Sequence, residues 1–266
     1  MRALSLAAVL SLALVLPASA HRVWMLPSST VLSGGDAWVT FDAAVSNDLF
    51  VFEHVPMRLE GLAVTGPEGT ALAHENAATG KFRSTFDIHL TKPGSYRAAI
   101  VNDGVTASYK LDGAQKRWRG KAEALKQALP AGAQDVKVTR VVQRTETFVT
   151  LGKPDATAFA PAGKGLELRF DTHPNNLTAG ETARFTVLLD GAPAPGIAVE
   201  VVRGGSRYRD KSEEQKLTSG PDGVVSVTWA QAGQYWFGAE AQDDKSGIEG
   251  ARRRSVYAAT FEVLPQ

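Results

Sequence analysis

The chain has 266 residues, 29 Lys and Arg against 28 Asp and Glu, and no cysteine. The lack of cysteine rules out disulfides, thiolate metal sites, iron–sulfur clusters, a cysteine nucleophile and a lipoprotein anchor. The charge balance argues against a nucleic-acid-binding protein, which normally carries a basic surplus.

Residues 1–20 have the three parts of a secretory signal peptide: Arg2, an apolar run from Ala3 to Leu16, and Ala18-Ser19-Ala20 as a small-x-small cleavage site. Its removal takes Arg2 and leaves a formally neutral mature chain beginning at His21. Beyond it no apolar run approaches the roughly 18 residues that a spanning helix needs, so the product is expected to be exported to the periplasm and not membrane-embedded. A terminal histidine offers two nitrogens to one metal, its α-amine and its imidazole Nδ1. The amine has a reference pKa of about 7.7–8.0, so a metal displaces its proton near neutrality.

After the leader the chain reads as mostly β. Trp38 to Val45 alternates, with Val39, Phe41, Ala43 and Val45 on one face, and Thr85 to Leu90 does the same with Phe86, Ile88 and Leu90. A strand from Tyr96 to Val101 follows the turn Lys92-Pro93-Gly94-Ser95. Trp118, Ala122, Leu125 and Leu129, spaced four, three and four, predict a helix from about Lys116 to Leu129 that ends at Pro130. Val136 to Thr150 reads as one long strand or two short ones, and the Ala-, Pro- and Gly-rich stretch 152–165 as a linker.

A second β unit begins near Leu166 and echoes the first. Leu32-Ser33-Gly34-Gly35-Asp36 is matched by Leu177-Thr178-Ala179-Gly180-Glu181, and Pro93-Gly94-Ser95-Tyr96 by Ala232-Gly233-Gln234-Tyr235. Residues 189–196 read as a hairpin connection into a strand from Ile197 to Val202, and Pro221-Asp222-Gly223 as a turn before Val224 to Trp229. The expected fold is all-β: two immunoglobulin-like or transthyretin-like sandwiches, 21–112 and 165–266, joined by a helix-containing segment, 113–164.

Several stretches together resemble a family of exported bacterial proteins. They are His21-Arg22-Val23-Trp24-Met25-Leu26-Pro27, Ser46-Asn47-Asp48-Leu49-Phe50, Lys116-Arg117-Trp118-Arg119-Gly120, Thr172-His173-Pro174-Asn175-Asn176-Leu177 and Ala232-Gly233-Gln234-Tyr235-Trp236. The family is a domain of unknown function often labelled the periplasmic component of a cobalt or nickel ABC-type transport system. The resemblance implies an exported protein of metal-linked context, and it carries no established ligand residues.

The five histidines are His21, His54, His74, His89 and His173, and no two have the spacing of a zinc helix or finger. Any metal site must therefore be assembled by the fold. The candidate ligands are His21, through amine and imidazole, and His54, with His173 or Asp48 completing the shell. The competing descriptions are a surface histidine at 54 and a structural histidine at 173, extended because Pro174 follows it. Met25 and Met57 are possible soft ligands or core fillers. His89, near Asp87, and the exposed-looking His74 are weaker candidates. The basic runs Lys116-Arg117-Trp118-Arg119 and Arg252-Arg253-Arg254 read as solvated faces, and Trp229, Tyr235, Trp236 and Phe237 as sheet core.

No nucleophile elbow, phosphate loop or dinucleotide fingerprint is present, so no enzyme is expected. The expected function is capture or hand-on of a divalent transition metal (nickel, cobalt or copper) for an uptake system, with a membrane transporter component as the partner. A structural adaptor docking on a transporter or redox partner is the alternative. A copper oxidase built on a terminal-histidine brace is a distant third.

Overall fold

The computed structural model describes residues 21–210 and 213–266, so the signal-peptide reading of residues 1–20 lies outside it. The chain is all-β, about 56% strand and 7% helix. The first half contains β1 (Arg22–Pro27), β2 (Val31–Leu32), β3 (Ala37–Ser46), β4 (Val55–Pro56), β5 (Leu62–Thr65), β6 (Ala71–Leu72), β7 (Glu75–Thr79) and β8 (Ser84–Leu90). Two 18-residue strands, β9 (Gly94–Leu111) and β11 (Gln134–Leu151), flank β10 (Ala114–Gly120) and a single helical turn, α1 (Leu125–Ala128). The second half adds β12 (Leu166–Phe170), β13 (Thr182–Leu189), β14 (Ala192–Pro193), β15 (Ala198–Arg203), β16 (Glu214–Thr218), β17 (Val224–Thr228), β18 (Gly233–Asp243) and β19 (Arg252–Val263).

These strands form three sheets. One runs β1-β3-β8-β7, with β4 beside β3; another is β12-β13-β14, with β17 also on β13. Between them lies a ten-stranded sheet in the order β16-β15-β18-β19-β11-β9-β5-β6, with β10 on β9 and β2 on β11. Adjacent residues of a strand point to opposite faces, and β11 uses this to serve both cores. Val149 and Leu151 face the first small sheet and pack with Phe41, Phe86, Ile88 and Ile100. Phe148 faces the other way and packs with Phe185, Phe237, Phe261 and Trp229. The alternation expected at Val39, Phe41 and Ala43, and at Phe86, Ile88 and Leu90, is realised, each of the six being fully buried.

The helix expected over 116–129 shrinks to a 3-10 turn at Ala122–Ala124 followed by α1. The sequence signal that wins is Asp112-Gly113, both with positive φ (51° and 77°), a dipeptide suited to a two-residue hairpin turn. It folds β10 back onto β9, pairing Lys116 with Tyr109 and Arg119 with Thr106. Trp118, Leu125 and Leu129 still pack together, against Val105, Ala107 and Val138, so a strand followed by a turn satisfies the same apolar spacing. The stretch 152–165 is a packed strap: Ala158 and Phe159 are buried in the second core. The Glu167 carboxylate accepts the backbone N–H groups of Ala162, Gly163 and Lys164 at 2.8, 2.7 and 3.2 Å. Glu167 also pairs with the buried Arg144 at 3.2 Å, and Arg144 pairs with Glu146 at 3.0 Å. Such a buried ionic cluster needs every partner in place to offset its desolvation.

Candidate functional site

Strand register brings two of the histidines together. Val45, near the end of β3, pairs with Val23 of β1 on one side and Val55 of β4 on the other. His21 precedes β1 and His54 precedes β4, so both stand at the same end of β3. Their exposed imidazoles meet with centroids 4.1 Å apart and planes tilted by 33°.

The loop that carries His54 is held from below. Trp24, fully buried, donates Nε1–H to Ser46 Oγ at 2.8 Å, and Ser46 Oγ–H donates to the Asp48 carbonyl at 2.6 Å. Glu53 accepts the backbone N–H groups of Asn47 and Asp48 at 2.6 and 2.9 Å. The Asp48 and Asn47 bonds hold its carboxyl below the usual range. Phe50, at φ 63°, and Phe52 both lie against Trp24.

The second sandwich supports the same end of the molecule. Trp236 donates Nε1–H to the Val23 carbonyl at 2.9 Å, and the Arg22 guanidinium lies 5.3 Å from the Trp236 ring centroid. Arg22 also binds the Glu200 carboxylate and stands 3.8 Å from Glu214. Burial, with Glu214 close by, raises the Glu200 carboxyl despite Arg22. Trp24, Ala44 and Leu49 form a small seam core with Val202, and Phe50 and Trp236 pack against it. Phe50 presses on Gly204 so closely that a Cβ there would sit 2.6 Å from its ring.

The other expected ligands are placed elsewhere. The Asp48 carboxylate faces Ser206, 3.4 Å away. Among the described residues no three His, Asp or Glu side chains come together as a metal-holding group. His173 is held in a hydrogen-bonded setting away from the pair. Its Nδ1 accepts the Asn175 N–H at 3.1 Å, which leaves Nε2–H to face the Asp155 carbonyl at 2.9 Å and Ser95 Oγ at 3.0 Å. Burial lowers its pKa and keeps it neutral. It also sits at the far end of β1. Thr150, whose hydroxyl bonds Asn175, donates its N–H to the Thr30 carbonyl, and β1 alone spans about 20 Å.

His89 stacks on Trp38 (4.3 Å, 4°) and lies 2.7 Å from Asp36, while His74 meets the edge of Phe86. Met25 and Met57 are buried in the first core, which leaves nitrogen as the donor chemistry at the pair. Glu53, with Asp48 one of the two carboxylates this loop offers as potential ligands, instead braces its backbone, and no local pattern marks the supports Trp24, Ser46 and Trp236. Of the four aromatics expected in the sheet core, Trp229, Tyr235 and Phe237 lie there, and Trp236 faces the seam.

The family model of DUF4198, a domain of unknown function, matches residues 18–243. No curated protein matches the chain. Similar solved structures include the D0-D1 domain of intimin, at 14% identity, covering 90% of this chain and 97% of that one, with a TM-score of 0.22. The ectodomain of mouse nectin-like molecule 4 matches at 12% identity, over 91% of this chain and 63% of that one, with a TM-score of 0.20. A marsupial T cell receptor matches at 10% identity, over 92% and 74%, with a TM-score of 0.22. Likenesses this distant decide nothing about chemistry. No helix among the described residues is long and apolar enough to cross a membrane.

Proposed function

The chain belongs to the DUF4198 family, and from that premise we propose that it is an exported, periplasmic protein that binds one divalent transition-metal ion through His21 and His54. The observation that carries this reading is the approach of the two imidazoles, 33 positions apart in sequence, at one end of β3. Cleavage after Ala20 adds a third donor from the main chain, the α-amine of His21. Amine and imidazole of one residue close a chelate ring, and the second imidazole lies within reach of the same ion, given metal–nitrogen bonds of about 2.0–2.1 Å.

An all-nitrogen donor set without sulfur suits copper(II), nickel and cobalt, and the Irving–Williams order makes copper the tightest. The protein's own part is to hold the donors near one another. The loop 47–54 is braced by Trp24, Ser46 and Glu53, and β1 is tied to the second sandwich through Arg22 and Trp236. The ion is cargo: capture requires loss of protons from amine and imidazoles, and release follows proton uptake or a partner's ligands. A membrane transporter component is the recipient in this reading.

The test is calorimetric titration of the mature protein with Cu(II), Ni(II), Co(II) and Zn(II). One-to-one binding is expected, abolished by one extra alanine before His21 and weakened in His54→Ala. Equal binding, or none, in all three proteins overturns the reading. The absence of a third side-chain ligand among the described residues favours a second reading, a structural adaptor with incidental histidines, which those negative results would support.

A further inference from the structure

The two basic runs, Lys116–Arg119 and Arg252–Arg254, lie more than 130 positions apart, and the long sheet joins them. Arg119 of β10 pairs with Thr106 of β9, Thr106 with Thr139 of β11, and Thr139 with Arg252 of β19. Two residues along the strands, Arg117 pairs with Ser108 and Ser108 with Lys137. Residues directly opposite in register share a face. Arg117, Arg119, Lys137 and Arg252 therefore stand on one face of the sheet, across up to three strand spacings, or about 14 Å. The intervening row, Trp118, Ala107 and Val138, points the other way and is covered by Leu125, Leu129 and Ile248.

All four cations are exposed. Arg117, Arg119 and Lys137 have no ion-pair partner among the described residues. Arg252 meets Asp244 at 3.3 Å, but the two side chains are 63% and 89% exposed, where such a pair holds weakly. The segment 105–138 carries seven Lys and Arg against three Asp and Glu, in a mature chain that is formally neutral. The surplus is thus concentrated in the β9–β10–β11 arm.

We propose that this face docks the protein on an anionic phospholipid surface. Between the cations stand Thr106, Ser108 and Thr139, without an aromatic or apolar anchor. Protein interfaces draw on such anchors at their centre, whereas a charged bilayer surface needs only a basic face, gaining about 1 kcal/mol per Lys or Arg. Arginine suits phosphate because its planar fork binds two oxygens at once.

The experiment is co-sedimentation of the mature protein with vesicles of phosphatidylglycerol and phosphatidylcholine in equal parts, against pure phosphatidylcholine. No metal is needed. Binding to the anionic vesicles alone is expected, and it should vanish in salt high enough to shorten the Debye length to about 3 Å. Arg117→Gln/Arg119→Gln/Lys137→Gln should lower the partition coefficient by on the order of 100-fold, from about fivefold per charge. The control Lys81→Gln/Lys153→Gln/Lys216→Gln removes the same charge elsewhere and should retain most of the binding. Equal binding to both vesicle types, or an equal loss in both triple variants, overturns the proposal. So does capture of polyglutamate without capture of vesicles, which would assign the face to an acidic protein.

Discussion

Replacing Ser46 with alanine tests whether the floor beneath the histidine pair is built as described. Ser46 Oγ receives the Trp24 indole N–H at 2.8 Å and passes its own proton to the Asp48 carbonyl at 2.6 Å, with Trp24 and Ser46 both fully buried. The substitution strands a buried indole N–H, at about 1–3 kcal/mol, and deletes a second bond worth about 0.5–1.5 kcal/mol. The total is about 2–4 kcal/mol, measured by urea unfolding at tryptophan fluorescence. Trp24→Phe removes the stranded donor as well. The double variant should therefore cost less than the sum of the singles by about 1 kcal/mol. Loosening the loop should also weaken metal binding, about fivefold for each kcal/mol drawn from the site. A Ser46→Ala loss below about 0.5 kcal/mol would place it among ordinary surface changes and refute the bracing role.

His173→Ala should destabilise by about 1–3 kcal/mol, through its lost bonds to Asp155, Ser95 and Asn175, while leaving metal affinity unchanged in calorimetry. A fall in affinity comparable to that of His54→Ala would restore it as a ligand. Gly204→Ala should cost about 1–3 kcal/mol by driving Phe50 aside, and the His54 loop should move with it, seen as an altered imidazole spectrum in NMR. Arg140 with Lys164 depresses Asp103, and Arg253 depresses Asp190 and Asp243. Their stabilisation is complete above the ordinary carboxylate value of 3.8 and is lost as pH falls below it toward the depressed folded values. His173 acts in the same direction at higher pH: its folded value lies below 6.5, so stability present above 6.5 declines as pH falls. Wild-type stability should therefore fall more steeply than that of His173→Asn as pH drops below 6.5, whatever the difference between them at neutral pH, and parallel stability–pH curves would contradict the lowered folded value.

The parts of the fold readable in the sequence are those governed by local pattern. Val39, Phe41 and Ala43 announce their strand by period two, and Asp190-Gly191, both at positive φ, turns the expected hairpin. The segment 116–129 misleads because Trp118, Leu125 and Leu129 keep helical spacing while Asp112-Gly113 directs the chain into a hairpin. His21 and His54 were readable as candidates, but their approach depends on β1 and β4 flanking the same end of β3, which no local pattern records. The gathering of Arg119 and Arg252 is more remote still, since it rests on the parallel pairing of β11 with β19.

That pairing bears on how such a chain can be rearranged over time. Phe148 and Val149 are neighbours on β11, and each belongs to a different core. A copy ending at residue 164 would show Phe148 to water, and one beginning at 165 would lack the strand beside β19. The two halves therefore cannot be shuffled into new proteins like separate beads. Gene fusions should acquire or lose them together, and limited proteolysis should release no stable fragment smaller than the pair.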